Sequence, residues 1–444
     1  MEYVDPQSPS FTVNAESVRV LHTPDQFYQL ILERIRTAQR RVYLSSLYLG
    51  TGDLEKTLVE KLCSRLDNQP NLEVVILLDY LRGTRGERSG QSSTTLLRNI
   101  AHKAKVYLFH TPDLRGFTKK LLSERTNEII GLQHMKLYIF DDSVLISGAN
   151  LSDTYFTNRQ DRYVLIENCP SIVDYFVSVI QSVGSSSFVL NGDGTITLSP
   201  SCSHHPFQGD STVYRSEFRD RVMNANKSCK SATPPPSQSD TVIVPLIQMG
   251  QFAINEEHTL LKKLFASKDK EMRMTIASGY LNMTDEYEEL VVQGGYPLDI
   301  VMASPEANGF AGAKGLTRYV PSMYTSIASS FLQSLQSAGR DNVQIREWSR
   351  PDWSFHAKGI WCDYGSRVDT IIGSSNYGYR SVHRDLEAQI VLSTTNEGLM
   401  SRLREERDSL LESSRLVDSS VLRRVDHYIP PLVPLISRFI RHFF

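Results

Sequence analysis

Net charge, paired cysteines and long apolar runs are all scarce in these 444 residues. The 48 Lys and Arg nearly cancel the 50 Asp and Glu, leaving a formal charge of -2. A chain so balanced lacks the global basic field that coats nucleic acid, although a local basic site is compatible with it. The five cysteines, Cys63, Cys169, Cys202, Cys229 and Cys362, are scattered, odd in number and never paired as CxxC. That spacing supports neither a disulfide framework nor a zinc cluster, and no metal site is expected. The apolar runs are short, such as Val74 to Leu78, and none approaches the roughly 18 residues of a membrane span. Gly86 and Gly90 are not followed by Lys-Ser or Lys-Thr, which removes the ATP-binding phosphate loop. The acidic start, Met1-Glu2-Tyr3-Val4-Asp5, has no apolar or Arg-rich amphipathic stretch, so no targeting segment is expected.

What is present is a globular composition, 40% hydrophobic and 22% charged, in a chain long enough for two or three domains. The apolar spacing predicts helices over residues 27–40, 54–66 and 94–102 between short strands over 41–48, 72–78 and 105–109. The same order returns with helices over 257–265, 285–291 and 326–338 and strands over 272–280, 298–303 and 343–346. Alternation of this kind argues for an α/β fold, and its recurrence for duplication of a large unit. The expected domains are 1–190, an irregular Gly/Ser/Pro-rich crossover over 191–240, 241–398, and a C-terminal helix and tail over 399–444.

Each half also delivers a chemical motif. The first is His134-x-Lys136 with Asp141 seven residues after the histidine; the second is His356-x-Lys358 with Asp363. On a strand, residues two apart share a face, so each His and Lys are expected side by side. A polar turn follows each set, Gly148-Ala149-Asn150 in one half and Gly373-Ser374-Ser375-Asn376 in the other. Nine residues rather than six separate the second Asp from its Gly, predicting a longer turn at residues 364–369.

HxKxxxxD twice in one chain, each time followed by a Gly- and Asn-bearing turn that in the second half reads GSxN, resembles the phospholipase D superfamily. The resemblance implies two mixed sheets flanked by helices, related by a pseudo-twofold axis, with the active site between the halves. It also implies that one histidine attacks phosphorus, forming a phosphohistidine, while the other serves as acid and then base. The residue types suit that chemistry without a cofactor. Imidazole is nucleophilic near neutrality, and a second imidazole can trade protons. Lys136 and Lys358 can neutralise non-bridging oxygens, and Asn150, Ser374 and Asn376 can donate to them. Asp141 and Asp363 are expected to orient an imidazole or balance charge, the superfamily suggesting the histidine of the opposite half. Ala149 departs from the pattern and removes one hydroxyl donor from the first half. By family practice His134 is the expected nucleophile and His356 the acid and base.

Three segments, 77–86, 148–163 and 303–310, together with 134–142, resemble the eukaryotic phosphatidylglycerophosphate synthases within that superfamily. The likeness covers most of residues 15–400. It implies transfer of the phosphatidyl group of CDP-diacylglycerol to glycerol 3-phosphate, releasing CMP, on the cardiolipin route at the matrix face of the mitochondrial inner membrane. Such anionic substrates call for further cations, and Arg82, Arg85, Arg159, Arg162, Arg380 and Arg384 are the candidates for phosphate contact. The tail over 428–444 is too short to span but places Ile436, Phe439, Ile440 and Phe443 on one helical side. Four Arg against one Asp over 421–444 suit an anionic membrane surface, with packing on the chain's own core or in a homodimer as the alternative. Phospholipase D or cardiolipin-synthase chemistry is the nearest rival. A nuclease of the same superfamily ranks lower because both motif aspartates are present and the charge balance is near neutral, so no nucleic-acid partner is expected.

Overall fold

The structure is a computed structural model that describes residues 1–116, 127, 130–228, 240–312, 318–418, 421, 427–430 and 433. Two mixed sheets carry the fold. The strands at the heart of the first are, in spatial order, Lys105–Phe109, Glu73–Asp79, Arg41–Ser45, Leu137–Phe140, Ser143–Ser147, Tyr163–Ile166 and Val18–Leu21. The second repeats that order with Val343–Trp348, Leu298–Ala303, Arg273–Ala277, Gly359–Asp363, Val368–Gly373, Glu387–Thr394 and Thr241–Met249. The first three strands of each set are parallel and the next ones antiparallel. Parallel strands need a crossover, and helices such as Asp53–Asn68 and Asp285–Gln293 supply it. The duplication expected from the sequence is therefore a duplication of sheet topology.

Local signals set the helix ends. Thr23 caps the helix Pro24–Thr37, accepting from the Gln26 N–H while the Gln26 side chain accepts from the Thr23 N–H, and Pro24 opens the first turn. Phe27, Leu30, Ile31 and Ile35 form its buried face. One apolar cluster joins both halves, with Met135, Leu137, Val164 and Phe176 from the first packing with Ile243, Ile247, Ala357, Trp361 and Ile390 from the second. Each sheet buries its other face in a cluster of its own half.

Four expectations about the layout need correction. Residues 191–240 are not only irregular: after a hairpin of Phe188–Leu190 with Ile196–Leu198 comes the 18-residue helix Ser211–Ser228. Its polar composition concealed it, yet Tyr214, Phe218 and Val222 are buried against the helix-and-sheet core. Phe11–Val13 pairs with Thr241–Ile243, so the N-terminal strand belongs to the second sheet. The helix Glu397–Glu412 starts before residue 399 and buries Leu399 and Leu403 in the central cluster, and Ser414–Leu416 pairs with Arg346–Trp348 on the sheet edge. The turn after the second motif spans 364–367, shorter than expected, because Val368–Gly373 begins two residues earlier. Residues 435–444, expected to face a membrane surface, lie outside the described residues.

Arg162 is also reassigned. Its fully buried guanidinium pairs with Glu406 through Nε at 2.9 Å and Nη2 at 2.8 Å, and donates to the Ile371 carbonyl and the Thr370 hydroxyl. It stacks 3.7 Å from the Trp361 ring. Gly359 makes this possible, since a Cβ there would lie 1.8 Å from Arg162 Nη1. With its donors committed, Arg162 joins the two halves and does not reach phosphate. Glu406→Ala would strand a buried cation, and the expected loss of stability is about 3–5 kcal/mol. Urea unfolding measures it; a change below about 1 kcal/mol contradicts the assignment.

Candidate active site

Each His-x-Lys sits just ahead of its strand rather than within it, in a segment that lies against the opposite half. The His134 N–H donates to the Leu386 carbonyl at 2.9 Å and the His356 N–H to the Gln160 carbonyl at 2.8 Å. Ser354–Phe355 runs parallel to Arg159–Gln160. Each histidine thus leaves its own half and docks on the loop that follows the other half's polar turn.

The side chains cross over in the same way. His134 Nδ1 lies 3.0 Å from both Glu387 carboxylate oxygens, and His356 Nδ1 lies 2.7 Å from Asp161 Oδ2. A carboxylate at Nδ1 fixes the ring and places the Nδ1 proton, leaving Nε2 with its lone pair for chemistry. Ser374 and Ser381 donate to Glu387. The Arg162 N–H donates to Asp161 at 2.9 Å. Gly148 leaves the room this needs, because a Cβ there would stand 2.6 Å from Asp161 Oδ1 and 3.1 Å from Lys358 Cδ.

Lys136 and Lys358 each donate to the carbonyl of their own motif histidine at 2.7 Å. Lys358 Nζ also lies 2.6 Å from His356 Nδ1 and 3.1 Å from Nε2. Both lysines and both histidines are buried. Burial pushes both imidazoles well below the usual histidine value, with the nearby lysine next in effect, and each half's lysine also acts on the other half's histidine. Burial likewise lowers Lys136 well below its usual value, and brings Lys358 down to about 8 against the pull of Asp161 and Glu387. Asp161 is pushed up to about 6 by burial, opposed chiefly by Lys358. The result is a dry, cation-lined site whose imidazoles are neutral near pH 7.

The chain is similar to known proteins along most of its length. The family described as "Cardiolipin synthase, PLD-like domain" matches residues 31–182. Mitochondrial CDP-diacylglycerol–glycerol-3-phosphate 3-phosphatidyltransferases of Gallus gallus and Homo sapiens are each 40% identical over 98% of this chain and 85% and 84% of theirs. The chain belongs to this phosphatidyltransferase family. The relative of that activity from Schizosaccharomyces pombe is 31% identical over 98% of the chain and 96% of its own length. The crystal structure of phosphatidylserine synthase from Haemophilus influenzae Rd KW20 superposes with a TM-score of 0.77 over 99% of this chain and 98% of that one. At 19% identity, that likeness speaks to the fold, a phospholipase D-type arrangement of two mixed sheets.

Within this family member, several expected site residues stand elsewhere. Asp141 does not orient an imidazole. It turns a tight hairpin at φ 51° and accepts from the backbone N–H groups of Gln39, Arg40 and Arg41. Burial alone would raise its pKa, but those donors hold it below the usual carboxylate range. Asp363 pairs with Arg404 at 2.7 Å and Arg407 at 3.1 Å, which outweigh burial and bring it down to about 2. Both motif aspartates anchor the far ends of their strands. Ser374 spends its hydroxyl hydrogen on Glu387, and Asn150 donates to the Tyr155 hydroxyl at 3.1 Å. Asn376 keeps a buried Oδ1 that no described group bonds.

The remaining arginines divide. Arg159 stacks 4.6 Å from the Tyr155 ring and lies close enough to depress His356. Arg380 bonds Asp385 and acts on His134. Arg82 stacks 4.3 Å from Tyr48, on the short helix Tyr80–Thr84 that Asp79 ties to Gln133, next to His134. Arg85 follows that helix, and Arg384 lies over Tyr379 at 5.4 Å. His134, Asp385 and Glu387 bring three potential metal ligands within 4.8 Å of one another. Their lone pairs are engaged: Glu387 accepts from two serines and His134, and Asp385 from Arg380 and the Leu132 N–H.

Asp161, Glu387, Tyr155 and Ser381 escaped the motif reading, yet a signal was available. Asp161 and Glu387 each stand eleven residues after the motif asparagine, and Tyr155 and Ser381 each stand five after it. Asp161→Asn or Glu387→Gln is expected to lower kcat by on the order of 10⁴-fold, as when a catalytic histidine loses its orienting carboxylate. Asp141→Asn should mainly lower the urea midpoint, and steady-state assay of folded enzyme separates the two; an equal kcat loss at Asp141 contradicts the reassignment. Lys358→Met removes a cation that depresses His356, so ¹⁵N NMR titration should place His356 higher, closer to 6.5. A titration that stays or falls contradicts this electrostatic account.

Proposed function

We propose that this chain transfers the phosphatidyl group of CDP-diacylglycerol to glycerol 3-phosphate, giving phosphatidylglycerophosphate and CMP. The observation that carries this reading is 40% identity along 98% of the chain to relatives named for that activity. The crossed histidine pair supplies a matching mechanism. His134 attacks the phosphatidyl phosphorus through Nε2, the nitrogen opposite the one Glu387 holds. CMP departs as a phosphate monoester, whose last proton ionises near pH 6, so it needs little help from an acid. The second step makes the larger demand, because an alcohol must lose its proton to break the phosphohistidine. A buried, neutral His356 held by Asp161 is suited to that base role. Lys136 and Lys358 balance the phosphoryl oxygens, and Arg159 and Arg380 are the arginines best placed to hold a second phosphate.

The lipid donor implies work at a membrane surface, and the relatives are named as mitochondrial; the matrix face of the inner membrane is the side that the family resemblance implies. Among the described residues no helix is long and apolar enough to cross a membrane. That pattern suits peripheral contact, with the basic-apolar tail over 428–444 as the docking element.

Purified protein with CDP-diacylglycerol should release CMP in a glycerol 3-phosphate-dependent manner, and acid-quenched enzyme should carry the phosphatidyl group on His134. Strong CMP release that ignores the acceptor would identify a hydrolase. A label on His356 would reverse the two roles.

A further inference from the structure

The fifth residue after each motif asparagine is Tyr155 in one half and Ser381 in the other. Ser381 turns its hydroxyl to Glu387 at 2.8 Å, behind His134. The Tyr155 hydroxyl instead reaches forward to Nε2 of His356, at 3.1 Å. Among the described residues no side chain is bonded to Nε2 of His134, whereas Nε2 of His356 meets both the phenol and Lys358 Nζ at 3.1 Å.

Hydrogen-bond directions fix what this phenol does. The Asn150 amide donates to the Tyr155 oxygen at 3.1 Å, and Asp161 takes the Nδ1 proton of His356. Nε2 is therefore an acceptor, and it faces two donors at 3.1 Å, the Tyr155 O–H and the Lys358 ammonium. The chain Asn150, Tyr155, His356, Asp161 runs in one direction across the interface between halves. Tyr155 itself is held rigidly: it is 3% exposed, its ring meets His356 edge-on with centroids 5.0 Å apart, and Arg159 lies over it. Its phenol remains protonated because burial raises its pKa.

We propose that Tyr155 is a further catalytic residue, which relays the acceptor's hydroxyl proton to His356 in the second half-reaction. This rests on the phosphatidyl-transfer reading above. As the acceptor oxygen forms its bond to phosphorus, its proton passes to the Tyr155 oxygen, and the phenol's own proton passes to Nε2 of His356. The phosphorus–nitrogen bond to His134 breaks, and its electron pair returns to that imidazole. The His356 imidazolium then gives its proton to solvent, and Tyr155 ends as it began. The first half-reaction, with CMP as leaving group, does not use this relay.

The separation of the two steps provides the test. Tyr155→Phe keeps the ring that packs against Arg159 and removes only the hydroxyl. With CDP-diacylglycerol in mixed micelles plus glycerol 3-phosphate, rapid-quench assay of this variant should show a burst of about one CMP per enzyme. Turnover afterwards should be slower than wild type by on the order of 10²-fold, the usual scale for a lost proton-transfer group, with phosphatidyl label accumulating on His134. Turnover within about twofold of wild type overturns the proposal, as does loss of turnover without a burst. If Tyr155→Phe does not fold, fluorotyrosine at position 155 keeps the size and alters phenol acidity. It should change the turnover rate and leave the burst intact; unchanged turnover overturns the relay. Wild-type protein that releases no CMP would instead refute the phosphatidyl-transfer reading itself.

Discussion

Two hydrogen bonds between halves, His134 to Glu387 and His356 to Asp161, organise everything around the site. An imidazole acts as a defined nucleophile or base only when one nitrogen is fixed so that the other is free to react. Here the fixing group comes from the opposite half in both cases. Neither half alone fixes its own histidine, and the interface that joins them must be rigid to the scale of a hydrogen bond. The shared apolar cluster and the Arg162–Glu406 pair supply that rigidity.

Burial follows from the same constraint. A site closed between two sheets excludes water, which disfavours protonated imidazole and brings the lysines nearer to neutrality. The carboxylates oppose that drift, and the serines and backbone N–H groups around them keep it within limits. The electrostatic balance is therefore collective: both lysines act on both histidines, Asp385 and Arg380 also act on His134, and Arg159 also acts on His356. Such a balance suits an anhydride donor, since an acidic leaving group asks less of the acid than the acceptor alcohol asks of the base.

The duplicated order of strands was legible because hydrophobic periodicity and the His-x-Lys repeat survive in each half separately. The helix Ser211–Ser228 was not, because its polar residues outnumber the few that reach the core. Asp141 and Asp363 were misread for a related reason. Their constant distance from the histidine is dictated by strand length, and a strand of that length carries them to its far end, where backbone N–H groups and arginines wait. A spacing can be fixed by architecture as firmly as by chemistry.

The amino-acid order by itself determined the reaction type, the two-half plan and the four residues His134, Lys136, His356 and Lys358, since each of these is written within a few consecutive positions. Tertiary structure alone decided which carboxylate holds which histidine, that Arg162 is a strut while Arg159 lies over Tyr155, and that Tyr155 faces His356. Those pairings span 195 to 253 residues between histidine and carboxylate. Distances of that length along the chain carry no local periodicity, so only the closure of one sheet against the other could bring the partners together.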